Sequence, residues 1–415
     1  MTGQVPVSVA IVSRGRPQAL LRCLMGTSQM PYPAFEIVVV ADPGGIAALT
    51  AAGWAGRIKA LEFDQANISA ARNRAIGLAA GEVVAFIDDD AVPEPTWLAH
   101  LAAPFADPGV AAAGGFVRGR NGITFQWPPS TVDADGRTSP IAPWGTAPRL
   151  FTGGPGAAIK TEGTNMAFRR AALADLGGFD PAFRFYLDET DLNLRLAARG
   201  AVTALVPLAQ VHHGFAASAQ RRADRVPRDL SQVGASLAVF ARKHGRDGAA
   251  LIRAEAALRR RALIAHMVAG RIEPREVGPI LRTLTMGAAE GGRRAVTSLP
   301  ELPTADGRFL CFNPDHAPQG HRILAGRPRD AATLRSQAAK LAAQGWLVSV
   351  YVFSTGVGYH SVRYDPAGFW EQRGGLFGRS NRDEAPFAWH RRPDRLQQET
   401  ARVESQRDFT TLNLI

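Results

Sequence analysis

Apolar residues in the first half of the chain fall into short dense blocks. Val5 to Val12 (VPVSVAIV), Phe35 to Val40, Ile58 to Phe63, Val83 to Ile87, Val110 to Val117 and Val202 to Val211 are runs of strand length, and polar residues, Gly or Pro mark their ends. Between them the spacing changes. Leu20, Leu21, Leu24 and Met25 recur at helical intervals, Ile68 to Ala80 reads as a helix closed by Gly81, and Pro95 to Phe105 reads as a helix opened by proline. Strands alternating with helices of this length predict a parallel, doubly wound α/β sheet. Ligands of such sheets sit outside the carboxyl ends of the strands. Here those ends read Ser13-Arg14-Gly15-Arg16-Pro17, Asp42-Pro43-Gly44-Gly45 and Asp88-Asp89-Asp90.

The pattern then changes twice. Leu230 to Phe240 and Ala249 to Val268 carry apolar residues at three and four spacing, with Arg242, Lys243, Arg246, Arg253, Arg259, Arg260 and Arg261 at polar positions. From Arg308 onward Phe309 to Phe312 and His321 to Leu324 read as strands, Ala331 to Gln344 as a helix closed by Gly345, and Trp346 to Phe353 as a long strand. Gly374, Gly375 and Gly378 do not sit between a strand and a clear helix, so they read as turn glycines and not as a phosphate loop. Three units are expected: an α/β unit over 1–220, a basic helical segment over 221–300 and a small α/β domain of unassigned role over 301–415. Inside the first, Asn121 to Lys160 holds 12 Gly and Pro with Trp127 and Trp144, and reads as irregular, suited to a lid or a packed loop.

Composition narrows the class. With 46% hydrophobic and 20% charged residues the chain is globular. Its net charge of +11 is confined to one half: residues 1–220 hold 17 Lys and Arg against 18 Asp and Glu, and residues 221–415 hold 31 against 19. The basic half suits an anionic surface, and peripheral contact of residues 240–275 with anionic lipid is the sharper reading of a solvated helix face. Nucleic acid is not expected as a partner, because no recognised module organises the basic residues. Cys23 and Cys311 form no metal or disulfide pattern and are both expected as buried core thiols. The first apolar run is too short and lacks a basic lead for a signal peptide, and no stretch approaches the roughly 20 apolar residues of a membrane span. A cytoplasmic protein is expected, lying at most on a membrane.

Three adjacent carboxylates, Asp88, Asp89 and Asp90, repel one another unless a cation joins them, and oxygen ligands suit magnesium or manganese. The plainer alternative is an acidic turn. A second acidic set, Asp188-Glu189-Thr190-Asp191, opens the helical LNLRLAARG. It suits either a helix start, with Asp188 as cap and Asp191 paired to Arg195, or a general base whose proton affinity is raised by crowding. His212 and His213 end the last strand of the first half, where a neutral imidazole can complete a metal shell.

Taken in order, these pieces resemble the inverting family-2 glycosyltransferases of the GT-A fold over Val5 to Ser218. The carrying stretches are VSVAIVSRGRPQALLRCL, FEIVVVADPGG, NISAARNRAIGLAAGEVVAFIDDD with its DxD motif, GTNMAFRRAALADLGGFD, DETDLNLRLAARG and VHHGFAAS. The resemblance implies a metal-dependent transfer of sugar from a nucleoside-diphosphate sugar to a hydroxyl of a saccharide or lipid-linked acceptor, in surface polysaccharide or glycoconjugate synthesis. It implies that Asp88, Asp89 and Asp90 bind the metal, diphosphate and ribose, with Asp90 the leading metal ligand and Asp88 beside it. Asp42 and Arg72 are implied near the nucleotide base, His212 on the metal with His213 as the alternative, and the acceptor's base at the Glu-Asp position. The chain departs from the family there: it reads Asp188-Glu189, so the base is Glu189 by alignment and Asp188 by residue type, with Asp191 third. It also has Ala41 where the second strand usually ends in a first acid. Two other functions stay open: a sugar nucleotidyltransferase, for which SRGRPQ is a poor nucleotide loop, and a non-catalytic scaffold built on a degenerate transferase domain.

Overall fold

The computed structural model describes residues 4–302, 307–312, 318–407 and 413–414. In chain order its first half runs β1 (Val7–Ser13), α1 (Pro17–Ser28), β2 (Phe35–Ala41), α2 (Pro43–Ala51), β3 (Lys59–Glu62), α3 (Ile68–Leu78), β4 (Val83–Asp88), β5 (Ala91–Pro93), α4 (Trp97–Ala102) and β6 (Val110–Arg118). Four short strands follow, β7 (Ser130–Asp133), β8 (Thr138–Pro140), β9 (Arg149–Thr152) and β10 (Ala157–Ile159). Then come β11 (Asn165–Arg169), α5 (Arg170–Asp175), α6 (Asp188–Ala198) and β12 (Val202–His213).

The sheet order is β3-β2-β1-β4-β11-β6-β12-β5, with β9 also on β12. The apolar runs form the strands because both faces are covered. On one face Ile11, Val39, Val83 and Val206 pack under α1, α2 and α4. On the other, Val38, Val84, Phe86 and Phe168 pack under α3, α5 and α6. The sheet is mixed and not wholly parallel: β11 enters antiparallel between β4 and β6. That insertion has a consequence at the site. Asn165 pairs with Ile87, so Thr164 arrives beside Asp88 at the end of β4.

Three helices follow, α7 (Ser231–Lys243), α8 (Gly248–Val268) and α9 (Pro274–Gly291). Leu237, Phe240, Leu263 and Leu284 share an apolar core with Phe183, Leu187 and Leu194 around α6 and with Val132 and Ala158 of β7 and β10. Asn121 to Lys160 is therefore less irregular than its Gly and Pro content suggests. Its hairpins are short, but they have a core to pack on.

The last unit holds β13 (His321–Gly326), α10 (Ala331–Ala343), β14 (Leu347–Ser354), β15 (Ser361–Asp365), β16 (Phe369–Gly375), α11 (Arg392–Ala401) and α12 (Glu404–Arg407). With β17 (Asn413–Leu414) the sheet runs β15-β16-β14-β13-β17, parallel except for the β15–β16 hairpin. It joins the first sheet through Val92, Ile123, Val362, Tyr364 and Trp370, and through Val362 N–H donating to Asn121 O at 2.7 Å. Two expectations fail in this region. Phe309 to Phe312 is not a strand: Phe312 N–H donates to Phe35 O, and its ring enters the core beneath β2. Cys311 is exposed, since its neighbour Phe312 takes the buried position, while Cys23 is buried as expected. Among the described residues no helix is long and apolar enough to cross a membrane.

Candidate active site

Strand β4 carries Asp88 to the sheet's carboxyl edge, opposite Val12 of β1. Thr164 Oγ1 donates to Asp88 Oδ2 at 2.5 Å, and Arg72 Nη2 lies 3.5 Å from Oδ1. Asp89 is buried against Ser13 Oγ, which donates at 2.6 Å, and against the Arg16 guanidinium at 2.5 Å. Burial pushes its carboxyl up to about 7, helped by Asp90 and Asp88 and opposed by Arg16 and Ser13. Asp90 accepts from Ala216 N at 2.8 Å and lies 3.5 Å from both Arg16 and His213 Nε2. Burial raises Asp90 too, yet His213, Arg16 and the Ala216 N–H outweigh it and hold the carboxyl down at about 2.

Ligand atoms of Asp88, Asp90 and His213 all fall within 4.8 Å of one another. His212 does not join them. It and His213 are consecutive strand residues, so they point to opposite faces. His212 Nε2 meets Glu94 Oε1 at 2.8 Å, and its ring lies 4.4 Å from Trp370. His213 instead contacts Asp90, meets Gln126 Oε1 through Nδ1 at 2.8 Å, and lies 4.4 Å from the Phe215 ring.

The second acidic set opens α6 from a left-handed turn. Leu187 has φ 66° and Tyr186 φ 77°, so the helix starts abruptly, and Asp188 is its first residue and not its cap. Asp188 is sealed in a short ion pair with Arg72, whose other donor reaches Gly163 O at 3.1 Å. Arg72 thus touches both acidic sets. Glu189 is the more open of the pair, 17% exposed against 4% at the side chain, and accepts from Lys160 Nζ at 3.1 Å. Burial pushes Asp188 up, and the Glu189 charge adds to this against Arg72. Burial acts on Glu189 as well, but Lys160 and Arg72 hold it below the usual carboxylate range. Two adjacent carboxylates are thereby driven apart in proton affinity.

Asp191 faces away from both. It receives Arg195 at 2.8 Å, His244 at 3.0 Å and Lys243 at 3.1 Å, and so pins α6 to α7. Asp42 caps α2 by accepting from Gly45 N and holds the β1–α1 turn through Gly15 N, each at 3.1 Å. The sequence reading did not single out Thr164, Lys160 or Glu94. Thr164 and Lys160 come from the segment before β11, and Glu94 stands between Pro93 and Pro95 with no acidic neighbour to mark it.

An open α/β sheet with acidic clusters at its strand ends is the plan of a GT-A glycosyltransferase domain. Residues 4–231 match the sequence model described as "Glycosyltransferase like family 2", more than half of the chain, and the chain belongs to that family. It is 30% identical over 249 residues to the O-antigen biosynthesis protein RfbC of Myxococcus xanthus, covering 54% of this chain and 18% of that protein. It is 32% identical over 150 residues to the pre-mycofactocin glycosyltransferase of Mycobacterium tuberculosis, covering 35% and 29%. The chain spans less than a third of the length of these relatives. Among solved structures, the mannosyltransferase PcManGT from Pyrobaculum calidifontis, in complex with GDP-Man and Mn2+, is similar at 19% identity and a TM-score of 0.42, over 70% of this chain and 88% of that one. GalNAc-T7, crystallised with UDP, GalNAc and Mn2+, is similar at 19% identity and a TM-score of 0.41, over 51% and 44%.

Proposed function

We propose that the protein transfers a sugar, with inversion, from a nucleoside-diphosphate sugar to a hydroxyl of a saccharide or lipid-linked acceptor, and that the reaction needs a divalent cation. The observation that carries this reading is the convergence of Asp88, Asp90 and His213 beside an acidic pair whose members differ in proton affinity. Two carboxylates and one imidazole are a donor set suited to magnesium or manganese, so Asp88, Asp90 and His213 are the residues to hold it. When bound, the cation supplies positive charge to the diphosphate as it leaves. The protein's own groups do the rest. Glu189, partly open where Asp188 is sealed, takes the acceptor's proton, and Asp188, the member of the pair whose proton affinity is raised, is the alternative base. Asp191 supports the helix. Arg72 fixes the spacing of the two acidic sets, and Asp42 orders the turn proposed to meet the nucleoside.

The division 1–220, 221–300 and 301–415 is proposed as catalytic domain, membrane-facing helices and accessory domain. On α8, Leu258 and Val268 are exposed apolar residues among the exposed Arg253, Arg260 and Arg261, which supports peripheral contact with anionic lipid at a cytoplasmic face. The relative named for O-antigen biosynthesis supports a polysaccharide or glycoconjugate acceptor.

Calorimetric titration with uridine, guanosine, thymidine and cytidine diphosphates, with and without manganese, tests the donor reading. One nucleotide should bind only with metal and fail to bind Asp90→Ala. If none binds under either condition, a scaffold role replaces transfer.

A further inference from the structure

The sheet of the last unit has a carboxyl edge of its own, and the transfer mechanism does not use it. Strands β14 and β16 run parallel and end at Ser354 and Gly375, so the loops after them leave the sheet side by side. Ligands of open parallel sheets sit at this edge. The two loops pair as a ribbon: Gly375 N–H donates to Gly358 O at 2.8 Å, Phe377 N–H to Gly356 O at 3.1 Å and His360 N–H to Arg379 O at 3.1 Å. Buried and open positions alternate along it. His360 and Ser380 are buried, whereas Tyr359 is 66% exposed and Phe377 and Arg379 are half-buried.

Aromatic rings gather on the open side. The Phe377 ring lies 4.7 Å from Trp389 and 5.9 Å from Phe387, and the last two are 6.0 Å apart. Trp389 is 78% exposed and Phe387 50%. The Arg379 guanidinium covers the Tyr359 ring at 4.7 Å and donates to its hydroxyl at 3.1 Å. Beneath the rings a buried polar network holds both loops. His360 Nε2 meets Gly375 O at 2.8 Å, and Gln372 joins His360 Nδ1 at 2.8 Å to Glu399 at 2.7 Å. Arg395 donates to Ser380 Oγ at 2.8 Å and pairs with Glu399 at 3.0 Å. Gly375 and Gly378 seal the ribbon, since a Cβ on either would run into the carbonyl oxygen of Gly356 or Gly358. Large rings are thus kept in water on a rigid support, which marks a ligand site.

The chemistry of the face selects the ligand. A phosphate cradle needs free N–H groups, yet those of Gly375, Leu376, Phe377 and Gly378 all donate within the unit. A bilayer is met by aliphatic residues such as the exposed Leu258, Ile264 and Val268 of α8, whereas the exposed groups here are mainly aromatic. A sugar ring fits: its C–H face stacks on the electron-rich face of an aromatic ring, and its hydroxyls take hydrogen bonds at the rim. Among the described residues neither Arg379 Nε nor the Trp389 indole N–H makes a hydrogen bond, so both donors are open. Rigid rings also lose little freedom on binding.

We propose that Tyr359, Phe377, Phe387 and Trp389, with Arg379, form a platform for a saccharide chain, separate from the transfer site. Trp370, near the start of β16, touches His212, and Gly375 ends the same strand about 17 Å further on. A chain on the platform is therefore held away from the reacting sugar. That this chain is the acceptor or product of transfer rests on the transfer reading; that it is a saccharide does not.

Native affinity gels cast with mannan, dextran, mixed-linkage glucan, xylan or polygalacturonate test the platform on the full chain. At least one polymer should retard wild type and Asp90→Ala equally. Tyr359→Ala/Trp389→Ala should bind that polymer about tenfold more weakly or worse, because two stacking surfaces are lost. Trp389→Phe, which keeps a ring, should fall between, and Met286→Ala, an exposed apolar control on α9, should run as wild type does. The proposal is overturned if no polymer retards wild type, if a natively folded Tyr359→Ala/Trp389→Ala is retarded normally, if Met286→Ala weakens binding equally, or if Asp90→Ala abolishes it, which would place the chain at the transfer site. It is also overturned if, without polymer binding, the double variant loses a dimer in sedimentation or loses binding to phosphatidylcholine vesicles, which would give the face to a second copy or to a bilayer. Should nucleoside diphosphates fail to bind wild type while retardation still needs Trp389, the transfer reading falls and the platform stands.

Discussion

Glu94 and Arg407, 313 residues apart in sequence, form a two-pronged ion pair of 2.9 and 3.0 Å that is closed to solvent. The pair is part of a larger junction. Glu94 also meets His212, Arg407 also donates to Ser349 Oγ at 2.7 Å, and both His212 and Arg407 lie against Trp370. The last unit of the chain thereby grips β5 and β12, the two strands that flank Asp90 and carry His213.

Removing one partner of this pair leaves the other charge buried without compensation. Arg407→Met is expected to cost about 3–5 kcal/mol, read as a lower midpoint in urea or thermal unfolding. Glu94→Gln/Arg407→Met together should cost less than the two single changes summed, because neither charge is then stranded. Strict additivity in the double-mutant cycle would deny the coupling.

Gly214 has no room for a side chain. A Cβ there would stand 2.4 Å from the Asp90 carbonyl oxygen and 2.5 Å from an Arg22 nitrogen. The carbonyl is backbone and cannot swing aside. Gly214→Ala is therefore expected to destabilise by about 1–3 kcal/mol and to displace Asp90, weakening metal-dependent nucleotide binding. Equal binding of nucleotide by wild type and variant would show that the loop yields without moving Asp90.

The strands that build the sheet were legible because an apolar run covered on both faces has one reading. Strand β11 was not: Asn165 to Arg169 is short, ends in polar residues, and becomes a strand only between β4 and β6. The choice between His212 and His213 was unreadable for a related reason. Alternation along β12 would settle it, but the pairing with β6 slips between Val206 and Gln210, so counting residues loses the face. The acids at Asp88, Asp90 and Asp188 announced themselves by crowding. Glu94 could not, since its meaning lies with a partner at the far end of the chain.

Asp191 makes stability depend on pH. Its carboxyl is held down at about 2: burial raises it, and His244, Arg195 and Lys243 outweigh that. Asp180 shares Lys243 at 2.6 Å and belongs to the same cluster. An unfolded aspartate titrates near about 3.9, so the folded state binds the proton more weakly. The contribution, ~2 kcal/mol, is complete above about pH 4 and is lost as the pH falls towards 2. Urea unfolding at stepped pH should show wild type losing this increment across that window and Asp191→Asn losing less. Parallel slopes for the two proteins would remove Asp191 as the cause.

The choice of base turns on which member of the acidic pair can receive a proton. Asp188 is sealed and committed to Arg72, whereas Glu189 is partly open and kept ionised by Lys160. Glu189→Gln should leave nucleotide binding intact and lower kcat about a hundredfold or more. Asp188→Asn removes the short ion pair of Arg72 and leaves it only Asp88 at 3.5 Å and Gly163 O at 3.1 Å, so it should weaken donor binding and stability and reduce kcat less. Lys160→Met removes the charge that holds Glu189 down. The acid limb of the kcat profile should then move to higher pH, with activity lost earlier as pH falls. If Asp188→Asn abolishes turnover while Glu189→Gln retains it, and Lys160→Met leaves the acid limb in place, Asp188 is the base and Glu189 only positions it.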